Sequence, residues 1–212
     1  MAYALIEKGP SASFAADDPF RAGAVDAASA DIVVCLGGAA TRDTSKQAVV
    51  VELGTRFLAD FAGLDGAGDN ANIVGFARYR NGDDVASNLV ELVKAGWTSE
   101  EAVAAARAMF EEAGLEVVVC TDQAGRIIDR LVRPKYNAAL RFLDEGLATQ
   151  ADMDKTCRMG LGYPDGPLER VMRGGLANHF EVTQALFEVN GTPAYAPPRA
   201  AVVAARSKDA LK

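Results

Sequence analysis

The feature that most restricts this chain is a series of short, uninterrupted apolar runs confined to its first 122 residues. DIVVCLGG (31–38), QAVVVEL (47–53), ANIVGFA (71–77), SNLVELV (87–93) and LEVVVC (115–120) are bounded by Gly, Asp, Asn and Ser. ALIE (4–7) is a sixth, weaker run. Continuous Val/Ile/Leu character without polar alternation predicts strands covered on both faces, as in a parallel sheet. One helix interrupts them. Thr98 with Glu101 predicts a capping box. Ala102, Val103, Ala106, Met109, Phe110 and Ala113 form an apolar stripe, and Gly114 is a C-terminal stop.

Beyond residue 122 the strand signal ends. Arg126–Glu145 predicts a long helix, kinked at Pro134 and closed by Gly146. Thr149 and Asp152 start a second helix that stops near Gly160, and GLGYPDGP (160–167) is a turn-rich connector. Leu168–Val189 predicts a further helix weakened by Gly174-Gly175, and Ala200–Arg206 a short last one. The expected fold class is therefore α/β plus all-α, with domains at 1–122 and 123–212.

Composition narrows the function classes. The 212 residues are 50% hydrophobic and 24% charged, which excludes a disordered chain. A net charge of −7 argues against non-specific nucleic-acid binding, which needs a positive footprint. No apolar run approaches the ~20 residues of a membrane span. MAYALIEKGP has no basic n-region and no cleavage site, so no signal peptide is expected. Three cysteines without a CxxC pair read as reduced thiols of a cytoplasmic protein. The single histidine, His179, excludes a multi-histidine metal site within one chain, and no metal is expected. It reads as a residue at the edge of a helical core.

A dinucleotide loop needs glycines between a strand and a helix, so that phosphate meets backbone N–H groups. Gly66-Ala67-Gly68-Asp69-Asn70-Ala71 matches the letters but precedes a strand. Gly37-Gly38 follows a strand without the spacing.

The stretch TDQAGRIIDRLVRPKYNAALRFLDEGLATQADMDKTCRMGLGYPDGP (121–167) resembles the 3-hydroxyacyl-CoA dehydrogenase family at the joint between its NAD-binding and helical C-terminal domains. The family runs D-x-P-G-F-x-x-N-R, a long helix, E-G, a D-x-D helix and G-x-G-x-P-x-G-P. Asp122, Gly125, Arg130, Glu145-Gly146, Asp152, Asp154, Gly160, Gly162, Pro164, Gly166 and Pro167 fall in place. The resemblance covers about residues 30–206. It implies a partial Rossmann-like parallel sheet followed by a helical domain that carries a dimer contact.

The same resemblance exposes departures. The family's phosphate-loop unit has no counterpart here. Ala77 stands in GFARYRNGD where the family has its general-base histidine, and Arg56 in GTRFL where it has a substrate-contacting serine. Asp129 stands at an asparagine position. Glu91, in NLVELVKAG, matches the carboxylate that orients the histidine. Glu91 is then either a relic site carboxylate or a strand carboxylate satisfied by an arginine. Asp129 is either a substrate contact or the i,i+4 partner of Arg133. Arg126, Arg130 and Arg133 are spaced as a stripe on the long helix, meeting coenzyme A phosphates or facing solvent. Arg56 either binds an anion or fills a vacated site.

The expectation is a 3-hydroxyacyl-CoA dehydrogenase-like protein of acyl-CoA metabolism without autonomous activity. It would be a dimerising or acyl-CoA-handling subunit, or a detached half, paired with itself or with a related dehydrogenase chain through the helical domain. No cofactor is expected for the chain alone, although the family uses NAD. The alternative is an active NAD-dependent enzyme oxidising 3-hydroxyacyl-CoA to 3-oxoacyl-CoA.

Overall fold

Six strands form where the six apolar runs predict them. In the computed structural model, which describes residues 1–64 and 71–210, they are β1 (Tyr3–Glu7), β2 (Ile32–Leu36), β3 (Ala48–Glu52), β4 (Ile73–Arg78), β5 (Leu89–Lys94) and β6 (Glu116–Thr121). The glycine match at 66–71 lies, except for Ala71, outside the described residues. Each strand pairs with its sequence neighbour, so the sheet order is β1 to β6 without reversal.

The chain divides into two compact units. One comprises residues 1–80 and 86–126; the other comprises Asn81–Val85 and the chain from Ile127 on.

In the α/β unit, strand alternation explains the continuous apolar runs. Ile32, Val34, Leu36, Val50, Phe76 and Leu92 face one core, and α3 (Glu100–Glu112) packs there through Ala102, Ala106, Met109 and Phe110. Val33, Cys35, Val49, Val51, Ile73 and Val93 face the other core, beside Ala62 of the α2 segment (Ala59–Ala62) and its N-cap Leu58. Both faces are covered, so neither tolerates polar alternation. The connection from β1 to β2 holds only a four-residue helix, α1 (Pro19–Ala22). Its Phe20 stacks on Tyr3 and Phe14.

Two expectations need correction here. The β4–β5 pair is antiparallel, whereas the other pairings among the described residues are parallel. The 79–88 connection contains no helix and is shorter than the dozen or so residues a parallel crossover takes. The cap of α3 is Ser99, whose side chain accepts from Ala102 N, and not Thr98. Thr98 Oγ1 instead donates to Ile73 O and accepts from Ala95 N, tying the turn after β5 to β4.

The helical unit contains α4 (Ile128–Asp144), α5 (Gln150–Leu161), α6 (Pro167–Arg173), α7 (Leu176–Asn190), a 3₁₀ turn at Pro193–Tyr195 and α8 (Arg199–Ala210). Tyr136, Ala139 and Leu140 of α4 pack on Leu168 and Val171 of α6. Pro134 inside α4 has no N–H, which releases the Arg130 carbonyl from its helical bond. The Tyr195 hydroxyl lies 3.5 Å from that carbonyl. The single helix expected over 168–189 is two helices, because Gly175 takes a left-handed φ of 84° that ends α6 before α7 begins. Thr149 caps α5 as predicted, accepting from Asp152 N. Asp154 on α5 accepts from Leu168 N and Glu169 N at 2.9 and 3.0 Å and so caps α6. Gly166 is required beside it, since a Cβ there would meet Asp154 Oδ1 at 2.2 Å.

Candidate active site

The antiparallel β4–β5 pair sets Ala77 directly across from Glu91. Ala77 sets a methyl group, with no proton acceptor, opposite that carboxylate. Glu91 is 4% exposed. Strand alternation puts it on the same face as Val93, whose β6 neighbour is Cys120. The Cys120 thiol is pushed up to about 11, first by burial and then by the Glu91 carboxylate, so it is a protonated, inert thiol at neutral pH. Cys35, deeper in the sheet, is pushed up to about 11 by burial.

Arg126 departs from expectation. It precedes α4 instead of lying on it, so the stripe with Arg130 and Arg133 does not form. Its φ is 46°, an uncommon left-handed conformation for a non-glycine residue, next to Gly125 at 70°. The guanidinium is buried, donates through Nη2 to Gly54 O, and lowers the Cys120 pKa against the carboxylates. Its Nε and Nη1 make no hydrogen bond. Asp122, just upstream, accepts from Leu58 N at 2.8 Å and Ala59 N at 3.0 Å, capping the α2 segment. The aspartate of the D-x-P-G-F pattern thus ties the end of β6 to the loop after β3.

Arg56 is exposed and lies over the Phe61 ring at 4.1 Å, a cation–π contact. With Thr55, Gly38 and Pro10 it lines an open cleft of about 280 Å³ at the ends of β1, β2 and β3. Glu52, the last residue of β3, lies at this cleft and is 4% exposed. Its Oε1 accepts from Ser11 Oγ at 2.8 Å and Ser13 N at 2.7 Å, and its Oε2 from Gly37 N at 2.8 Å. Nothing in the sequence marks Glu52, because its partners lie 15 to 41 residues away and two of them are backbone groups.

Asp129 and Arg130 lie on α4 in the helical unit. Asp129 pairs with Arg133 Nε at 2.8 Å, with both side chains mostly buried. Arg133 Nη1 also lies 3.2 Å from His179 Nδ1. On its other side His179 Nε2 meets Asn137 Oδ1 at 2.8 Å, and Asn137 Nδ2 donates to Thr183 Oγ1 at 2.8 Å. Arg133 donates only, so Nδ1 accepts and Nε2 carries the proton. Burial first, and the Arg133 guanidinium second, push the His179 pKa down to about 3. His179 is a neutral core group at physiological pH. Besides the Asp129/Arg133 pair, the spacing Arg133/Asn137 and His179/Thr183, each one helical turn, is the sequence signal of this network.

The dinucleotide that the family uses does not fit the donors at the sheet's C-terminal edge. Ser13 N and Gly37 N already face Glu52. The helix after β1 has four residues and is capped by the Asp18 carboxylate. An unreversed strand order also opens no switch-point crevice, where α/β sheets seat their ligands.

Comparison with known proteins connects the helical unit to one family by sequence and most of the chain to solved structures by fold. The family model described as "3-hydroxyacyl-CoA dehydrogenase, C-terminal domain" matches residues 125–209. A 3-hydroxybutyryl-CoA dehydrogenase of Mycobacterium tuberculosis is 35% identical over 111 residues, covering 52% of this chain and 39% of the relative. The chain thus spans about two fifths of the length of that relative. The crystal structure of M. tuberculosis FadB2 superposes with a TM-score of 0.71 at 22% identity, over 84% of this chain and 66% of that one. The (S)-3-hydroxybutyryl-CoA dehydrogenase PaaH1 from Ralstonia eutropha gives a TM-score of 0.70 at 21% identity, over the same shares. The fold is therefore a Rossmann-like α/β sheet followed by a helical domain, and the helical unit is similar in sequence to the C-terminal domain of 3-hydroxyacyl-CoA dehydrogenases.

Proposed function

We propose that this chain is a 3-hydroxyacyl-CoA dehydrogenase-like protein of acyl-CoA metabolism without autonomous dehydrogenase activity. The observation that carries this reading is Ala77 opposite the buried Glu91. Oxidation of a 3-hydroxyacyl group requires a proton acceptor within hydrogen-bond reach of the hydroxyl. The position facing Glu91 supplies none. The one imidazole of the chain is His179, which is buried and bonded on both ring nitrogens in the helical unit. A general base typically contributes roughly 10²–10⁴-fold. The engagement of Ser13 and Gly37 by Glu52 supports a second part of the reading, that the chain alone does not hold NAD.

The helical unit, read as residues 123–212, is then the working part, docking with a second copy or a related dehydrogenase chain. Leu131, Phe142, Leu147, Met159 and Leu161 support this, since each is a large apolar side chain at least 44% exposed within that unit. Of the arginines expected to meet acyl-CoA phosphates, Arg126 is withdrawn because its guanidinium is buried on Gly54 O, while Arg56 in the α/β unit and Arg130 in the helical unit each remain a candidate. Glu91 remains as the relic of an acid–base pair, and Asp129 as the partner of Arg133.

The test is NADH oxidation with acetoacetyl-CoA by the parent chain and by Ala77→His. We expect no turnover from either, because the substitution restores a base and not a phosphate cradle. Turnover by the parent above a contaminant control refutes the reading.

A further inference from the structure

We infer that the C-terminal edge of the sheet carries a built oxyanion cradle whose occupant is the chain's own Glu52, and that this cradle takes a free tetrahedral oxyanion once the carboxylate is removed. The inference goes beyond the proposed function, and it holds whether or not the chain turns over an acyl-CoA.

Three donors converge on one carboxylate from two different loops. The loop after β1 supplies Ser11 Oγ and Ser13 N, and the turn after β2 supplies Gly37 N, all at 2.7–2.8 Å. Such contacts are charge-assisted and stronger than neutral ones. The Ser11 hydroxyl is itself fixed, since it accepts from Phe14 N at 2.9 Å and so directs its hydrogen at Glu52. Gly37 and Gly38 take φ values of 58° and 83°, a turn that aims the Gly37 N–H inward. A Cβ on Gly37 would lie 2.0 Å from Gly9 O, so only glycine lets the two loops close around the carboxylate.

The place of this cradle gives it meaning. The C-terminal ends of parallel strands are where α/β sheets present backbone N–H groups to ligands. Here β3 ends on a glutamate that turns back into those N–H groups. The cleft in front of it, with Arg56 on its rim, is open. A second negative group entering that cleft meets the Glu52 carboxylate and not the donors. Glu52 therefore ties two loops to the end of β3 and keeps phosphate-bearing ligands off these three donors.

The experiment is thermal unfolding of the parent and of Glu52→Ala in chloride, with inorganic phosphate or sulfate added at matched ionic strength. In chloride we expect Glu52→Ala to lose roughly 5–10 °C in Tm, because two buried donors and the half-buried Gly37 N–H lose their partner. Phosphate or sulfate should restore at least about half of that loss in the variant, because a ligand that binds only the folded state stabilises it. The parent should respond to phosphate no more than to chloride. An oxyanion-specific gain that is equal in parent and variant, or absent from the variant, overturns the inference. Should Glu52→Ala fail to fold in every buffer, Glu52→Gln decides, since it keeps the volume and one acceptor oxygen. Its Ser13 or Gly37 amide should exchange with solvent roughly tenfold faster than in the parent, the equivalent of one weakened hydrogen bond. Unchanged exchange at both amides overturns the inference.

Discussion

In the α/β unit the buried Glu52 and the half-buried Asp122 are held by loop N–H groups, whereas the helical unit, besides Asp154 on the N–H groups of α6, buries a relay of side chains held by one another. Glu52 takes two loops and Asp122 the start of α2. The helical relay runs Asp129, Arg133, His179, Asn137, Thr183, and closes on the Tyr195 carbonyl through the Thr183 hydroxyl. The family model matches the unit that holds the side-chain relay. That match does not extend to the sheet, which shares its fold with FadB2 in a superposition that spans 84% of the chain at 22% identity. Packing of helix on helix demands particular side chains at particular turns, so its sequence pattern survives. A sheet covered on both faces demands only that its strands be apolar, and its loops are free to change the chemistry at its edge.

The largest expected effect that sharpens this contrast is acid lability of the helical unit through His179. Folded His179 stays neutral down to about pH 3. In the unfolded chain it takes a proton near pH 6.5. Below about 6.5 the unfolded state therefore binds more protons, and stability falls with pH until both states are protonated near 3. The slope approaches ~1.4 kcal/mol per pH unit, or about 2 kcal/mol by pH 5. His179→Gln keeps a neutral hydrogen-bonding side chain and should lose this part of the slope. Denaturant unfolding at pH 7 and pH 5 of both chains measures it, and parallel slopes would remove His179 from the account.

Asp122 provides the matching cut in the α/β unit. Asp122→Ala leaves Leu58 N and Ala59 N without their cap. The expected loss is about 1–2 kcal/mol, the usual value of a helix N-cap. Amide exchange should quicken at Leu58 and Ala59 while the α4 and α7 amides keep their protection. Faster exchange throughout both units would break the division drawn above.

How far the residues announced this structure follows the range of the interactions. Six strands were legible because burial on two faces leaves a mark at every position of a strand. The Thr149 cap and the Gly114 stop were legible because a cap is local. The cap of α3 falls one residue beyond the predicted one, since Thr98 and Ser99 are both capping residues and only the β4 carbonyl of Ile73 distinguishes them. The direction of β5 was missed although the short 79–88 connection implies it. Spacing alone puts Arg126 on a helix, because it says nothing of the left-handed turn at Gly125 and Arg126. Glu91 was legible through the resemblance, with Ala77 across from it. Glu52 was not, because a carboxylate that binds backbone groups leaves no pattern in side chains.

The smallest expected effect separates the two readings of Asp129. As the partner of Arg133 it makes an i,i+4 ion pair whose side chains are 18% and 12% exposed. Exposed pairs of this kind contribute roughly 0.3–0.5 kcal/mol, and partial burial raises the value toward about 1. Arg133 also reaches His179, so losing Asp129 leaves that guanidinium beside a neutral ring with one partner fewer. A double-mutant cycle of Asp129→Ala and Arg133→Ala isolates the pair. We expect a coupling of about 0.5–1 kcal/mol in unfolding, with His179→Gln shrinking it, because all three groups share one guanidinium. Acetoacetyl-CoA binding by Asp129→Ala, followed by calorimetry, should equal that of the parent. A coupling near zero together with a change in acyl-CoA binding would move Asp129 from the packing of the helical unit to its substrate surface, and the two units would then differ less than their buried groups suggest.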